Sequence, residues 1–129
     1  MKTLVRLMLI SMLMIGVVSA YSAECVNVWR CEVDDDATEA EVEALASKWL
    51  KAAKKVKGGE RLEAYVYWPV ATGDMGETDC LFVVMAPSFE EWGRFWDNYA
   101  SSEAAEIEVM GEEKVISPQS ALWEVVKIK

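Results

Sequence analysis

Histidine is absent from all 129 residues. That absence puts Ser-His-Asp and Cys-His nucleophile activation, histidine-ligated zinc and a proximal-histidine haem out of reach. Cysteine is scarce, with three residues, so at most one intrachain disulfide can form and one thiol is left over. Cys25 and Cys31 are not at C-x-x-C spacing and nothing supplies a fourth soft ligand, so no metal site is expected. Positive charge is also short: 13 Lys and Arg stand against 22 Asp and Glu, a formal net charge of −9. Nucleic acids and anionic lipids are held by Lys and Arg, so no nucleic-acid partner is expected. What remains, 53% hydrophobic and 27% charged residues, fits one ordinary globular domain and excludes a disordered or collagen-like chain.

The N-terminus reads as a signal peptide over residues 1–20. Lys2 and Arg6 form a positive region, Leu7 to Val18 is almost entirely apolar, and Val18-Ser19-Ala20 offers small residues for cleavage after Ala20. The apolar segment is 12 residues long, whereas spanning a bilayer takes about 20. The expectation is an exported chain, periplasmic or extracellular, whose mature domain (21–129) begins at Tyr21 and has no membrane association after cleavage. Cleavage removes Lys2 and Arg6, leaving 11 basic against 22 acidic residues and a mature charge of −11.

Hydrophobic periodicity divides the mature chain. Val26 to Val33 is β-branched and aromatic and reads as a first strand. Thr38 opens a capping box with Glu41, and Val42, Leu45, Ala46, Trp49, Ala53 and Val56 give one apolar helical stripe that ends at Gly58-Gly59. Leu62 to Val70 alternates as a second strand, with Pro69 suggesting an edge position. Thr72 to Asp79 is turn chemistry, and Cys80 to Ala86 is a nearly continuous apolar run, as in an interior strand. Ser88 and Glu91 repeat the capping box ahead of a second helix with Phe89, Trp92, Phe95, Trp96 and Tyr99 on one stripe. That helix ends near Ser101-Ser102 or extends through Glu103 to Glu108; a loop carrying Gly111 and Pro118 follows, and Ala121 to Ile128 closes the chain as a fourth strand. Right-handed crossovers turn this βαββαβ order into a ferredoxin-like α+β fold, a four-stranded antiparallel sheet of order 4-1-3-2 with both helices on one face.

This layout resembles the dimeric α/β-barrel superfamily, including its antibiotic biosynthesis monooxygenase-like domains, over most of residues 26 to 128. The segment that carries the resemblance is Phe82 to Tyr99 (FVVMAPSFEEWGRFWDNY): an apolar strand, a Ser-capped turn and a helix rich in Trp and Phe. The resemblance implies sheets paired face to face in a homodimer. It embraces cofactor-independent oxygenases, haem-degrading enzymes and many small proteins of unknown role. Haem degradation is disfavoured, because the stretch that would carry the family's Trp and His gives Ala86 and no histidine. Asn27 stands near the family's strand-one Asn, and is otherwise a backbone-bonding strand residue.

Several residue groups are candidates for function. Six tryptophans suit either core packing or an aromatic-lined cavity for a small apolar ligand, with Trp68, Trp96 and Tyr99 as its expected wall. The polar face of strand two, Glu63, Tyr65 and Tyr67, together with Arg30, is a candidate dimer surface. Cys80 to Ala86 is apolar on both sides, so one side requires a partner. Asp34-Asp35-Asp36 and Asp74, Glu77 and Asp79 lack EF-hand spacing and read as solvated loops. In the 4-1-3-2 order Cys31 faces Cys80, whereas Cys25 and Cys31 lie about 20 Å apart on one extended segment. Cys31 and Cys80 are therefore the candidate disulfide, worth about 2 to 4 kcal/mol, the alternative being two reduced, buried thiols. The expected function is non-catalytic binding of a small apolar or aromatic ligand, or of a protein partner. The alternative is a cofactor-independent monooxygenase or isomerase, and no cofactor is expected in either case.

Overall fold

The computed structural model describes residues 23–71 and 78–129. The segment 1–20 read as a signal peptide, the expected cleavage after Ala20 and the loop positions Asp74 and Glu77 lie outside the described residues. The chain runs β1 (Cys25–Val33), α1 (Glu39–Ala53), β2 (Glu63–Tyr67), β3 (Cys80–Ala86), α2 (Phe89–Tyr99), α3 (Glu103–Gly111) and β4 (Val115–Glu124). The four strands form one antiparallel sheet of order β2-β3-β1-β4, the order the crossover argument gives read from its other edge.

Strand alternation sorts the sheet into two faces. Cys25, Trp29 and Cys31 of β1 share the inner face with Cys80, Phe82, Val84 and Ala86 of β3, and these pack beneath the helices. The main core joins them to Trp49, Ala52 and Ala53 of α1, Trp92, Phe95 and Tyr99 of α2, and Ala104 and Ile107 of α3. The outer face carries Glu63, Tyr65 and Tyr67 of β2 beside Met85, Val83 and Leu81 of β3. Beyond them stand Val26, Val28 and Arg30 of β1, paired with Trp123, Ala121 and Gln119 of β4.

Four expectations need correction. First, the described residues hold three helices: Ser102 accepts the Ala105 N–H at 3.2 Å and starts α3 as a separate helix instead of a frayed extension of α2. Second, α1 ends at Ala53, before Gly58-Gly59, because its last bonds tighten to i→i+3 steps, Lys55 to Ala52 and Val56 to Ala53, both 3.0 Å. Gly58 follows at φ +92°, where an added Cβ would lie 2.5 Å from the Phe95 nitrogen, so this turn rests directly on the backbone of α2. Third, the Ser88 cap is only half a box: Ser88 accepts the Glu91 N–H, but Arg61 takes the Glu91 carboxylate through two bonds of 2.8 and 3.2 Å.

The fourth correction is the span of the last strand, Val115–Glu124 instead of Ala121 to Ile128. Pro118 argues for a loop only if the strand is interior. On an edge strand it is tolerated, and here it falls at a bulge. Arg30 pairs with Gln119 while Glu32 pairs with Ile116, so two residues of β4, Ser117 and Pro118, stand opposite Cys31 alone.

Candidate functional site

A cavity of about 430 Å³ opens between the inner sheet face and the helices, within the size range of small-molecule sites. Its floor is aromatic. Trp29 and Phe82 from β1 and β3 place their rings 5.7 Å apart, and Trp49 of α1 stands edge-on to Phe82 at 5.3 Å. Trp96 of α2 is 40% exposed and packs edge-on against Tyr99 at 4.6 Å, so it forms the rim while its neighbours are buried. The amphipathic spacing of α2 explains the split: Trp92, Phe95 and Tyr99 fall on the buried stripe, and Trp96 sits at its edge.

One corner of the cavity is polar. The Trp49 Nε1–H donates to the Tyr99 hydroxyl at 2.9 Å, and that hydroxyl donates in turn to the Glu108 carboxylate. Burial, and then the bond to Glu108, push the Tyr99 phenol above its ordinary pKa, while the Trp49 bond opposes them. Tyr99 is therefore a neutral donor and acceptor, unsuited to act as a general base. Glu108 lines the cavity from α3 and is exposed, so it can meet both solvent and a ligand.

The second wall is sulfur. Cys31 and Cys80 are directly opposed in the β1·β3 register, both line the cavity, and both are free thiols. The expected pairing of positions is met, but the disulfide is not formed in this structure. The Cys31 thiol lies 3.4 Å from the Ser117 hydroxyl, which the β4 bulge aims at it. A hydrogen bond from Cys80 lowers the Cys31 pKa most, and Ser117 lowers it further, against burial; Cys80 moves the other way. Cys25, opposite Ala86, is buried apart from this pair.

Of the residues expected to line a cavity, the structure brings Trp96 and Tyr99 together and leaves Trp68 out. Trp68 instead packs against the buried cluster of Cys31, Val42 and Cys80 and donates its Nε1–H to Glu43 of α1 at 2.9 Å. Asn27 is nearly buried on β1, away from the lining. Arg30 donates to Gln119 at 3.2 Å on the outer face, where the Tyr65 hydroxyl donates to Glu63 at 2.9 Å and the tilted rings of Tyr65 and Tyr67 lie 6.4 Å apart. Glu108 and Ser117 were not singled out from sequence; each depends on an element boundary that periodicity alone misplaces. Among the described residues no cluster of three or more His, Cys, Asp or Glu is arranged to hold a metal, and no helix is long and apolar enough to cross a membrane.

No protein-family model matches the chain, and no curated protein matches it in sequence. Solved structures do match its shape. A variant of SnoaB, a cofactor-independent oxygenase from Streptomyces nogalater, superposes with a TM-score of 0.56 at 10% identity, covering 82% of this chain and 96% of that one. A dimeric ferredoxin-like protein of unknown function from Thermobifida fusca superposes at 0.52 and 12% identity, covering 81% of this chain and 92% of that one. Identities this low carry the fold alone. The resemblance read from Phe82 to Tyr99 is met at that level: the chain has the ferredoxin-like fold that a cofactor-independent oxygenase and a dimeric protein of unknown function share.

Proposed function

We propose that this protein is an exported homodimer that binds a small, flat apolar or aromatic ligand in the cavity between sheet and helices. The observation that carries the reading is the lining: Trp29, Trp49, Phe82 and Trp96 supply ring faces and edges, with a polar corner at Tyr99 and Glu108. Such a ligand would stack in the floor and donate one hydrogen bond to the Glu108 carboxylate. Dimer formation is supported by the outer sheet face, where Tyr65, Tyr67 and Trp123 are 42%, 52% and 59% exposed around Val83 and Met85. Export rests on residues 1–20.

Native mass spectrometry of protein purified from its own host tests the reading, since it reports subunit number and any retained ligand together. Retained aromatic mass that disappears in Trp96→Ala supports it. A monomer with an empty cavity that also fails to quench tryptophan fluorescence with aromatic ligands refutes it.

The second reading is a cofactor-independent oxygenase or isomerase, favoured by the carboxylate that reaches the cavity. There Glu108 would take a proton from a phenolic or otherwise acidic substrate while the Tyr99 hydroxyl holds it in place. Turnover of such a substrate that is lost in Glu108→Gln, with binding kept, would favour this reading over binding alone.

A further inference from the structure

Three features meet where β4 bulges past β1. Cys31 and Cys80 face each other across the two central strands, at a separation that the antiparallel ladder fixes at about 4.5 to 5.5 Å between Cα atoms. That spacing lies within the range a disulfide needs, about 4.4 to 6.8 Å. Both residues stand in the cavity wall with 2% and 1% of their surface exposed, so a small molecule inside it lies against the strand pair that carries them. The bulge then sets the Ser117 hydroxyl 3.4 Å from the Cys31 sulfur, a placement that regular pairing of β4 would not produce.

We propose that Cys31 and Cys80 form a thiol–disulfide exchange site in the cavity wall, with Cys31 as the attacking sulfur, Cys80 as the resolving sulfur and a small cationic or neutral disulfide as co-reactant. The Cys31 thiolate attacks one sulfur of R–S–S–R; a new S–S bond forms and the first thiolate RS⁻ leaves with the electron pair. Cys80 gives its proton to that thiolate and attacks Cys31, and the second RS⁻ leaves and is protonated by solvent. In total the protein dithiol is oxidised to a bridge and one disulfide is reduced to two thiols.

The two sulfurs are not equivalent, which assigns the roles. The Cys80 side chain and the Ser117 hydroxyl 3.4 Å away favour the Cys31 thiolate, while the Cys31 thiol itself donates to the Trp29 carbonyl at 3.7 Å and the Cys80 thiol is held protonated. Burial and the nearby Asp79 carboxylate oppose the Cys31 thiolate without reversing the direction. A cationic co-reactant suits the entrance, where Glu108 and Glu112 are exposed on a chain of net charge −9. The inference shares the cavity with the binding reading and needs a small molecule to enter it and reach the buried Cys31 sulfur.

Cystamine is the probe. Reduced, folded full-length chain is incubated with it, quenched with acid and followed by intact mass and non-reduced peptide mapping. The expected result is loss of two hydrogen atoms, a single Cys31–Cys80 linkage, and Cys25 unreacted until the protein is unfolded. Cys80→Ala should stop at the mixed disulfide on Cys31, and Cys31→Ala should react about tenfold more slowly or worse. Ser117→Ala, which leaves both sulfurs in place, should slow the first step severalfold while circular dichroism stays unchanged. A bridge to Cys25, a Cys31→Ala variant as fast as the parent, or folded parent that keeps three alkylatable thiols would overturn the proposal. None of these results touches retained ligand mass, so the binding reading fails or stands separately.

Discussion

Replacing Tyr99 by Phe removes one oxygen from the cavity corner and leaves its packing in place. The ring keeps its contacts with Trp96 at 4.6 Å and Phe95 at 5.2 Å, so no cavity of consequence is opened. What is lost is the acceptor for the Trp49 Nε1–H, on a residue only 7% exposed. A buried donor without an acceptor costs about 1 to 3 kcal/mol. The Glu108 carboxylate loses a donor too, but it is exposed and rehydrates, so it adds little. Tyr99→Phe is therefore expected to destabilise by about 1 to 3 kcal/mol, each kcal/mol lowering Tm by about 4 to 8 °C in a domain near 100 residues. The control is the same change made in Trp49→Phe, where the donor no longer exists; there the cost should shrink by about 1 kcal/mol or more. Urea unfolding followed by far-ultraviolet circular dichroism measures all four proteins without relying on tryptophan emission. Equal cost in both backgrounds would refute the reasoning, because it would mean that the indole N–H is satisfied elsewhere.

Two further outcomes are expected. Gly58→Ala meets both a left-handed φ of +92° and backbone atoms at 2.5 Å; it should cost more than the 1 to 2 kcal/mol of conformational strain alone, about 2 kcal/mol or above, read as a lower urea midpoint. Glu41 is held at about 2 by its bond to Lys114 and by the Thr38 N–H and hydroxyl; its contribution is complete above the unfolded value near 4.3 and is lost as pH falls toward 2. The Tm gap between parent and Glu41→Gln should thus close through that window, and also in high salt at neutral pH, because the pair is exposed and screened.

The sheet order and the helix starts were legible because they depend on local signals that this fold leaves undisturbed. Thr38 and Glu41 close their box at 3.3 and 2.9 Å, and the alternation of Leu62, Ala64 and Val66 against Glu63, Tyr65 and Tyr67 matches the two faces of β2. The C-terminal third was less legible. Pro118 carries opposite meanings on interior and edge strands, and nothing local says which strand it is on until the sheet order is known. Ser102 caps α3 without an acidic residue three positions on, so the break between α2 and α3 has half the usual signature. The cavity corner was hidden for the same reason: Glu108 reaches Tyr99 only because α3 turns back as a separate helix.

Pro118 has a consequence for how the chain associates with itself. An open strand edge invites another chain to add its own strand, and such head-to-tail addition need never close. β4 is the longest strand and lies at the sheet edge, yet Pro118 brings no N–H to that edge and the bulge beside it breaks the ladder's spacing. At the opposite edge β2 is only five residues long, too short to template an extended partner. Contact between outer faces, by contrast, uses the same patch on both copies and is complete at two. The sequence thereby leaves a finite pair open and discourages fibre growth, which matters for a chain that also carries a run as apolar as Cys80 to Ala86.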